Sequence, residues 1–192
     1  MTIFLILAPY GAFATLMLVS PAVISLFASA AIGLLVTAYD AFRGRSIKML
    51  GAGSVIVFAA LGAYVTLVDT NLNSSAVKLT VDAGVFAVSL SSLAIRQPFT
   101  LQYAREMVDA ETAQLAGFMR ANYIITWAWT GAFLLMMIAN VLMIYVPGLP
   151  LWSGIAIAFA ARNSAVYFTK WYPGYRKARY AAPHANALPV IR

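Results

Sequence analysis

The sequence predicts an all-α protein that forms a polytopic transmembrane helical bundle, and three observations lead to this prediction. Of its 192 residues, 62% are hydrophobic and only 10% are charged, whereas soluble domains carry about 25% charged residues. The apolar residues are gathered into six long runs, and the basic residues fall almost entirely in alternate connections between them. A chain this apolar cannot cover itself with polar surface, so a water-soluble globular domain is excluded.

The six runs have the length of membrane spans. Crossing ~30 Å of hydrocarbon requires about 17–25 apolar residues in helical form. A helix satisfies its backbone amides internally, and the runs lack the alternating polarity of membrane β-barrel strands. The predicted spans are residues 2–19, 22–39, 49–68, 79–95, 122–146 and 150–169.

The first run resembles a secretory signal in one respect only. Ala28, Ser29 and Ala30 are small, as cleavage-site residues are, but the positively charged segment that opens a signal peptide is missing. Pro21 lies at a plausible turn between the first two runs. We therefore expect a retained helical hairpin. The alternative is a first run that is cleaved or lies flat on the membrane, which leaves five spans.

The basic residues predict how the spans are oriented. Cytoplasmic connections are enriched in Lys and Arg, so the side that carries eleven of the thirteen basic residues is expected to be cytoplasmic. Lys78 alone lies on the opposite side, and Arg162 lies within span six. The prediction is a multi-pass protein of the bacterial inner membrane with both termini in the cytoplasm. The eleven residues are Arg43, Arg45, Lys48, Arg96, Arg105, Arg120, Lys170, Arg176, Lys177, Arg179 and Arg192.

Residues 98–119, within the longest connection, are expected to form one amphipathic helix on the cytoplasmic membrane surface. Leu101, Val108 and Leu115 recur every seven residues, and Pro98 suits the first turn of a helix. The alternative is a helical extension of span five.

Residues 173–192 are predicted to form a basic tail, separate from the transmembrane domain of residues 1–172. Their prolines and glycine predict an extended or weakly ordered segment. Arg176, Lys177 and Arg179 are expected to contact anionic lipid headgroups, at about 1 kcal/mol each near the surface. Because the orientation already explains these charges, we expect no nucleic-acid partner. The expected partners are membrane lipids and either a second copy of the chain or another membrane protein.

Polar residues inside spans four to six mark the predicted functional region, because ionisable groups within hydrocarbon are costly and often functional. Asp82 and Arg162 are expected either to contact each other or to reach separately toward opposite membrane surfaces. Together with neighbouring polar residues they predict a polar cleft. The alternative is that the hydroxyl and amide groups form interhelical hydrogen bonds, worth ~0.6 kcal/mol each. The cleft residues are Asp82, Ser89, Ser92, Asn122, Thr126, Asn140, Arg162 and Asn163.

Span two carries a ridge of small residues that recur at every fourth position. Ser25, Ser29, Gly33 and Thr37 form this ridge, and small side chains let a neighbouring helix approach closely. We expect the ridge to pack against another helix, either within the chain or in a dimer.

The sequence lacks residue patterns for catalysis or cofactor binding. It contains no cysteine, which excludes disulfides, thiolate metal sites and cysteine nucleophiles. The single histidine, His184, lies in the proline-containing tail, and no glycine-rich phosphate loop precedes a helix. We therefore expect no catalytic residues, no cofactor and no metal site.

Several short motifs follow the layout of a known family. Phe4–Pro9 reads FLILAP, Arg43–Met49 is a basic turn before span three, and Arg96–Phe99 reads RQPF. Arg120–Trp127 reads RANYIITW, with Asn140 further along the same span. In these features the chain resembles the intracellular septation protein A family, small polytopic inner-membrane proteins of Gram-negative bacteria. Its first proline falls later than in that family, and some spacings differ by a residue or two. The resemblance implies a role in cell-envelope or division-related membrane biology, with no catalytic residues to transfer.

These sequence features are compatible with three functions. The first is a membrane protein without intrinsic catalysis that acts through partners in the cell envelope. The second is a small-solute or ion transporter or channel that uses the polar faces of spans four to six. The third is an accessory subunit that packs against a larger membrane complex through the span-two ridge.

Because the chain has no cysteine, one introduced thiol can report the orientation. We expect a thiol next to Asn73 (Ser74→Cys) to react in intact cells with a reagent that does not cross membranes. A thiol next to Arg45 (Ser46→Cys) is expected to be spared. The reverse pattern of labelling would overturn the predicted orientation.

Overall fold

The computed structural model describes residues 2–146 and 148–185, and the secondary structure of these residues is entirely helical. Among these described residues, four helices, α2, α3, α4 and α7, are long and apolar enough to cross a membrane. The other two predicted spans correspond to α1, which is apolar over Ala8–Val19, and to the first part of α8. The helices are α1 (Thr2–Val19), α2 (Ala22–Phe42), α3 (Met49–Leu67), α4 (Ser74–Ala94), α5 (Phe99–Ala104), α6 (Ala110–Gln114), α7 (Ala116–Tyr145) and α8 (Leu151–Ala185), with a 3₁₀ turn at Arg105–Met107 between α5 and α6.

The long helices pack side by side in chain order, with α4 against α7 where the short helices intervene. Short connections make neighbours antiparallel, so α2, α4 and α8 end, and α3 and α7 begin, at the same end of the bundle. We call this the basic end, because it carries most of the basic residues. Aromatic rings fill the core: Phe58 packs against Tyr10 and Phe13, and Trp129 packs against Phe133.

Helices α3 and α4 approach closely through two reciprocal glycine contacts. A Cβ atom on Gly53 would lie 2.7 Å from a methyl group of Val88 on α4. A Cβ atom on Gly84 would lie 2.7 Å from a methyl group of Val57 on α3. Each valine therefore occupies the space that a larger residue at the facing glycine would need, and this fixes the distance between the two helices.

The predicted span-two ridge packs within the chain. Ser25, Ser29 and Gly33 are buried, and a Cβ atom on Gly33 would lie 3.1 Å from Ser54 Oγ of α3 and 3.6 Å from Pro9 of α1. The hydroxyl groups of Ser29 and Thr37 donate to backbone carbonyls of α2 itself. The ridge is therefore covered by α1 and α3.

Helices α2 and α4 end in the same backbone motif. After α2, Gly44 has φ 70° and Arg45 N–H donates to the Asp40 carbonyl at 3.0 Å. After α4, Arg96 has φ 60° and Gln97 N–H donates to the Ser92 carbonyl at 2.9 Å. This is the Schellman motif, which usually places glycine in the left-handed position. It folds the chain back over the last turn of each helix.

The continuous interfacial helix predicted over residues 98–119 is wrong, because the segment is divided into α5, the 3₁₀ turn and α6. Val108 has an extended backbone, with φ −131° and ψ 162°. Asp109 then caps α6, since its carboxylate accepts a hydrogen bond from Thr112 N at 2.7 Å. Hydrogen bonds from Thr112 lower the pKa of Asp109. The capping preference of aspartate thus starts a new helix and overrides the seven-residue apolar pattern.

The prediction of an extended tail from residue 173 is also wrong for the described part, because α8 continues to Ala185. The sequence RKAR at 176–179 consists of strong helix formers. These residues continue the helix that has formed over the preceding apolar residues, and Pro173 and Gly174 do not end that helix. Residues 186–192, which include Arg192, lie outside the described residues.

Replacing either close-contact glycine should loosen the α3–α4 pair. Gly53→Ala or Gly84→Ala should lower the free energy of unfolding by about 1–2 kcal/mol, because overpacking outweighs the better helix propensity of alanine. The matched control is Gly131→Ala, since a Cβ atom at Gly131 meets nothing within 4 Å. The control should be neutral or stabilise by up to ~1 kcal/mol. Thermal unfolding of the purified protein in detergent measures the difference, and equal effects in all three variants would contradict the packing.

Candidate functional site

A buried ionic cluster lies at the basic end, between α2, α3 and the 3₁₀ turn. The side chain of Lys48 is only 3% exposed, and its Nζ lies 2.8 Å from Asp40 Oδ2 and 3.1 Å from Glu106 Oε1. Arg45 Nη1 lies 3.3 Å from the other oxygen of Asp40. The cluster thus holds two cations and two carboxylates. A buried ammonium group is tolerated only with such pairing, because burying an isolated charge costs several kcal/mol.

The local fold positions each member of the cluster. The Schellman motif after α2 turns Arg45 back towards Asp40 in the last turn of that helix. Lys48 immediately precedes α3, and Gln102 Oε1 of α5 accepts a hydrogen bond from Met49 N at 2.7 Å. The short helix α5 therefore caps α3 and carries Glu106, just beyond its end, to Lys48. The cluster joins the α2–α3 hairpin to the segment that leads into α7.

The aromatic ring of Tyr103 in α5 lies beside the ionic cluster. Lys48 Nζ lies 5.5 Å from the centre of its ring, within the range of a cation–π contact. The Tyr103 hydroxyl is buried without a hydrogen-bond partner among the described residues, and burial raises its pKa well above the usual range. Beside it lies a cavity of about 10 Å³, lined in part by Thr37, Asp40 and Lys48. This is about the space that one water molecule needs.

A second polar group, which we call the hydroxyl network, joins α4, α5 and α7. Ser89 Oγ of α4 lies 2.6 Å from Thr130 Oγ1 of α7, and Thr100 Oγ1 of α5 lies 2.7 Å from Thr126 Oγ1. Ser92 Oγ accepts from Phe99 N and so binds the start of α5. Of the predicted cleft residues, Ser89, Ser92, Asn122 and Thr126 are brought to this region, and all four are buried.

The hydrogen bonds of the hydroxyl network are satisfied by protein groups. Thr130 Oγ1 also donates to the Thr126 carbonyl at 2.8 Å, and Asn122 Nδ2 donates to the Phe118 carbonyl at 3.0 Å. The Asn122 carbonyl accepts from Thr100 Oγ1 at 2.9 Å. These contacts match the interhelical hydrogen-bonding alternative for the predicted cleft rather than an open path.

The remaining predicted cleft residues separate into a pair and two residues of α8. Asn140 Nδ2 of α7 donates to Asp82 Oδ2 of α4 at 2.6 Å, and both side chains are half-buried. Within residues 2–146 and 148–185, Asp82 and Arg162 form no ion pair at 4 Å or less. Asn163 is exposed and bonds to the Phe159 carbonyl of its own helix. The predicted inclusion of Asn163 in the cleft is therefore wrong.

The basic residues near the end of α8 occupy helical positions. Arg176 Nη1 donates to the Gly117 carbonyl at 2.8 Å and so connects α8 to the start of α7. Arg179 Nη1 donates to the Tyr175 hydroxyl at 3.1 Å, and Lys177 is exposed. Further from the basic end, Trp129 Nε1 donates a hydrogen bond to Thr169 Oγ1 at 3.0 Å. The α7–α8 hairpin is thus held together along its length.

Sequence reasoning missed the ionic cluster because it ended span two at residue 39 and assigned Asp40 to a connection. The available signal was local: Asp40, Arg45 and Lys48 lie close in sequence at a helix–turn–helix junction. Glu106 carried no such signal, since its contact depends on where α5 packs. In the described part of the chain, no three His, Cys, Asp or Glu side chains are grouped so as to hold a metal ion.

Comparison of the chain with protein-family models, with curated proteins and with solved structures gives no match.

Breaking the ionic cluster should cost most where burial is deepest. Asp40→Asn removes the charge that Lys48 and Arg45 share, although Glu106 still pairs with Lys48. It should lower the free energy of unfolding by about 1.5–3 kcal/mol. The side chain of Glu106 is 24% exposed, so Glu106→Gln should cost about 1 kcal/mol or less. Asp69→Asn, in the α3–α4 connection, is the matched control and should stay within ~0.5 kcal/mol of the wild type. Thermal unfolding in detergent gives the ranking, and a loss for Asp40→Asn no larger than for the control would show that the cluster is not stabilising.

Proposed function

We propose that this chain is a six-span protein of the bacterial inner membrane that acts without intrinsic catalysis. Both termini are cytoplasmic, and the protein serves cell-envelope or division-related functions through partners. The layout resemblance to the septation protein A family supports this assignment. The hydroxyl network is the observation that carries it, because the buried polar groups of α4 and α7 bond to each other and to α5.

Polar side chains that line a transport route must exchange partners with a solute, water or ions. Ser89 and Thr130 instead form a direct 2.6 Å hydrogen bond, and neither side chain is more than 2% exposed. Interhelical hydrogen bonds of this kind contribute ~0.6 kcal/mol each to helix association. The arrangement therefore supports a packed scaffold, in which the polar residues hold helices together.

The charge distribution supports the orientation. The turn after α2 carries Arg43 and Arg45, and the turn after α4 carries Arg96. The opposite end carries Lys78 near the start of α4. By the positive-inside rule the basic end faces the cytoplasm, which also puts the ionic cluster and α5 on that side.

A transporter or channel is the second candidate function, and one observation favours it. Asp82 is a carboxylate inside a helix that is apolar enough to span the membrane, and in the described part of the chain it accepts a hydrogen bond from the neutral amide of Asn140. Intramembrane carboxylates often mark ion or proton pathways. The accessory-subunit hypothesis has less support, because the ridge on which it depended is covered by α1 and α3.

The Asp82→Asn variant distinguishes the two candidates. Asparagine keeps the shape of the side chain and an oxygen that accepts from Asn140, but it removes the charge. In a strain from which the gene has been deleted, we expect a defect in division or envelope integrity with unchanged solute uptake. Wild type and Asp82→Asn should restore the strain equally, as scored by cell morphology and by sensitivity to detergents.

The control for expression is Asp69→Asn, which makes the same chemical change outside the apolar helices. An uptake defect for one solute that wild type restores and Asp82→Asn does not would contradict the scaffold proposal and support transport.

A further inference from the structure

An apolar groove runs along the outer surface of the α7–α8 hairpin. Its volume is about 660 Å³, within the range of roughly 300–1,000 Å³ typical of small-molecule sites. Gly131 is one of its lining residues, and a Cβ atom there meets nothing within 4 Å. The remaining lining residues are small or aliphatic apart from Ser164. The groove therefore offers an apolar trough beside two antiparallel helices.

Towards the basic end, the helix faces that line the groove carry aromatic and basic residues instead of small and aliphatic ones. On α7, positions 120, 124, 127, 131 and 135 share one helix face, so Arg120 and Trp127 lie on the face of Gly131. On α8, positions 157, 161, 164, 168, 171 and 175 share one face, so Trp171 and Tyr175 follow the groove residues. Trp127 is 58% exposed and Trp171 is 44% exposed. The apolar trough thus ends in two tryptophans and an exposed arginine.

The axial spacing of these groups matches the layers of a bilayer leaflet. At 1.5 Å per residue, Arg120 lies about 12 Å from Ala128, the groove residue nearest the basic end. The tryptophans lie between them, as interfacial aromatic residues do at the level of the headgroups. The hydrogen bond from Arg176 to the Gly117 carbonyl keeps this part of α8 level with Arg120.

The charges carried by α7 and α8 determine which kind of lipid headgroup the groove favours. All six carboxylates of the chain lie between residues 40 and 111, so α7 and α8 contain none. The nearest in sequence are Asp109 and Glu111, at the start of α6. Arg179 lies one helical turn beyond Tyr175. Arg120 and Arg179 therefore lie on helices that carry no acidic residues. Such a surface complements a negatively charged headgroup and gives no advantage to a zwitterionic one.

We propose that the α7–α8 hairpin binds one anionic phospholipid, with an acyl chain in the groove and the headgroup phosphate at Arg120. Trp127 and Trp171 flank the glycerol region. The site rests on the proposed spanning arrangement of α7 and α8 and is independent of the scaffold role. The thiol-labelling experiment tests the orientation of the bundle on which the site depends, and lipid retention tests the site itself, so the two can fail separately.

Native mass spectrometry of the purified full-length protein tests the site. The protein is exposed in detergent to an equimolar mixture of phosphatidylglycerol and phosphatidylcholine, and retained lipids are counted. Wild type should retain one lipid, with phosphatidylglycerol preferred. Arg120→Gln should reduce that preference about five-fold, the effect of one charge in the headgroup layer. Gly131→Leu, which fills the groove, should abolish retention of both lipids.

Three further variants make the result decisive. Leu135→Trp fills the groove from an exposed position and should repeat the effect of Gly131→Leu. Lys78→Gln, at the opposite end, and Gly11→Leu, which also points into open space, should bind lipid as the wild type does. The proposal is overturned if Arg120→Gln keeps the wild-type preference or if both groove-filling variants retain lipid. It is also overturned if they convert a dimer to a monomer, because a second copy then fills the groove.

Discussion

The ammonium group of Lys48 imposes the strongest local constraint on this structure. It is buried at the start of α3, where the helix dipole is also unfavourable to a cation, so it requires carboxylates on more than one side. Asp40 supplies one from the end of α2, and Glu106 supplies the other from the turn after α5. Because these residues belong to different elements, satisfying one charge fixes the α2–α3 turn and the position of α5 together.

Helix α5 transmits that constraint to the other half of the bundle. Gln102 caps α3 on one side of α5, and Thr100 binds the carbonyl of Asn122 and the hydroxyl of Thr126 on the other. Ser92 binds the first amide of α5 from the end of α4. A helix of six residues has little stability of its own, so its conformation depends on these side-chain contacts. The polar residues of α4 and α7 thus contribute to assembly, in agreement with the scaffold role proposed here.

The α7–α8 hairpin has an inner surface that packs within the bundle and an outer surface that is exposed. Its inner surface carries Trp129, Thr130 and Phe133, which are buried against neighbouring helices or hydrogen-bonded. Its outer surface carries the groove, whose small residues leave space that no other described part of the chain fills. In water such a surface would favour aggregation, whereas in a bilayer it is available to lipid.

The sequence by itself determined the all-helical class, the approximate positions of the four helices that are long and apolar enough to cross a membrane, and the segregation of basic residues to one end. These depend on apolar run length and on local charge, which each segment expresses without reference to the others. It did not determine the breaks at Val108 and Asp109, where capping overrides apolar periodicity, or the helical continuation of α8. Only the tertiary structure decided which polar groups meet. Gln102 and Met49 are 53 residues apart, and Glu106 reaches Lys48 only because α5 folds against the α2–α3 hairpin. Hydrogen bonds and ion pairs act over about 3 Å, so the partners of a polar residue depend on packing that no local pattern encodes.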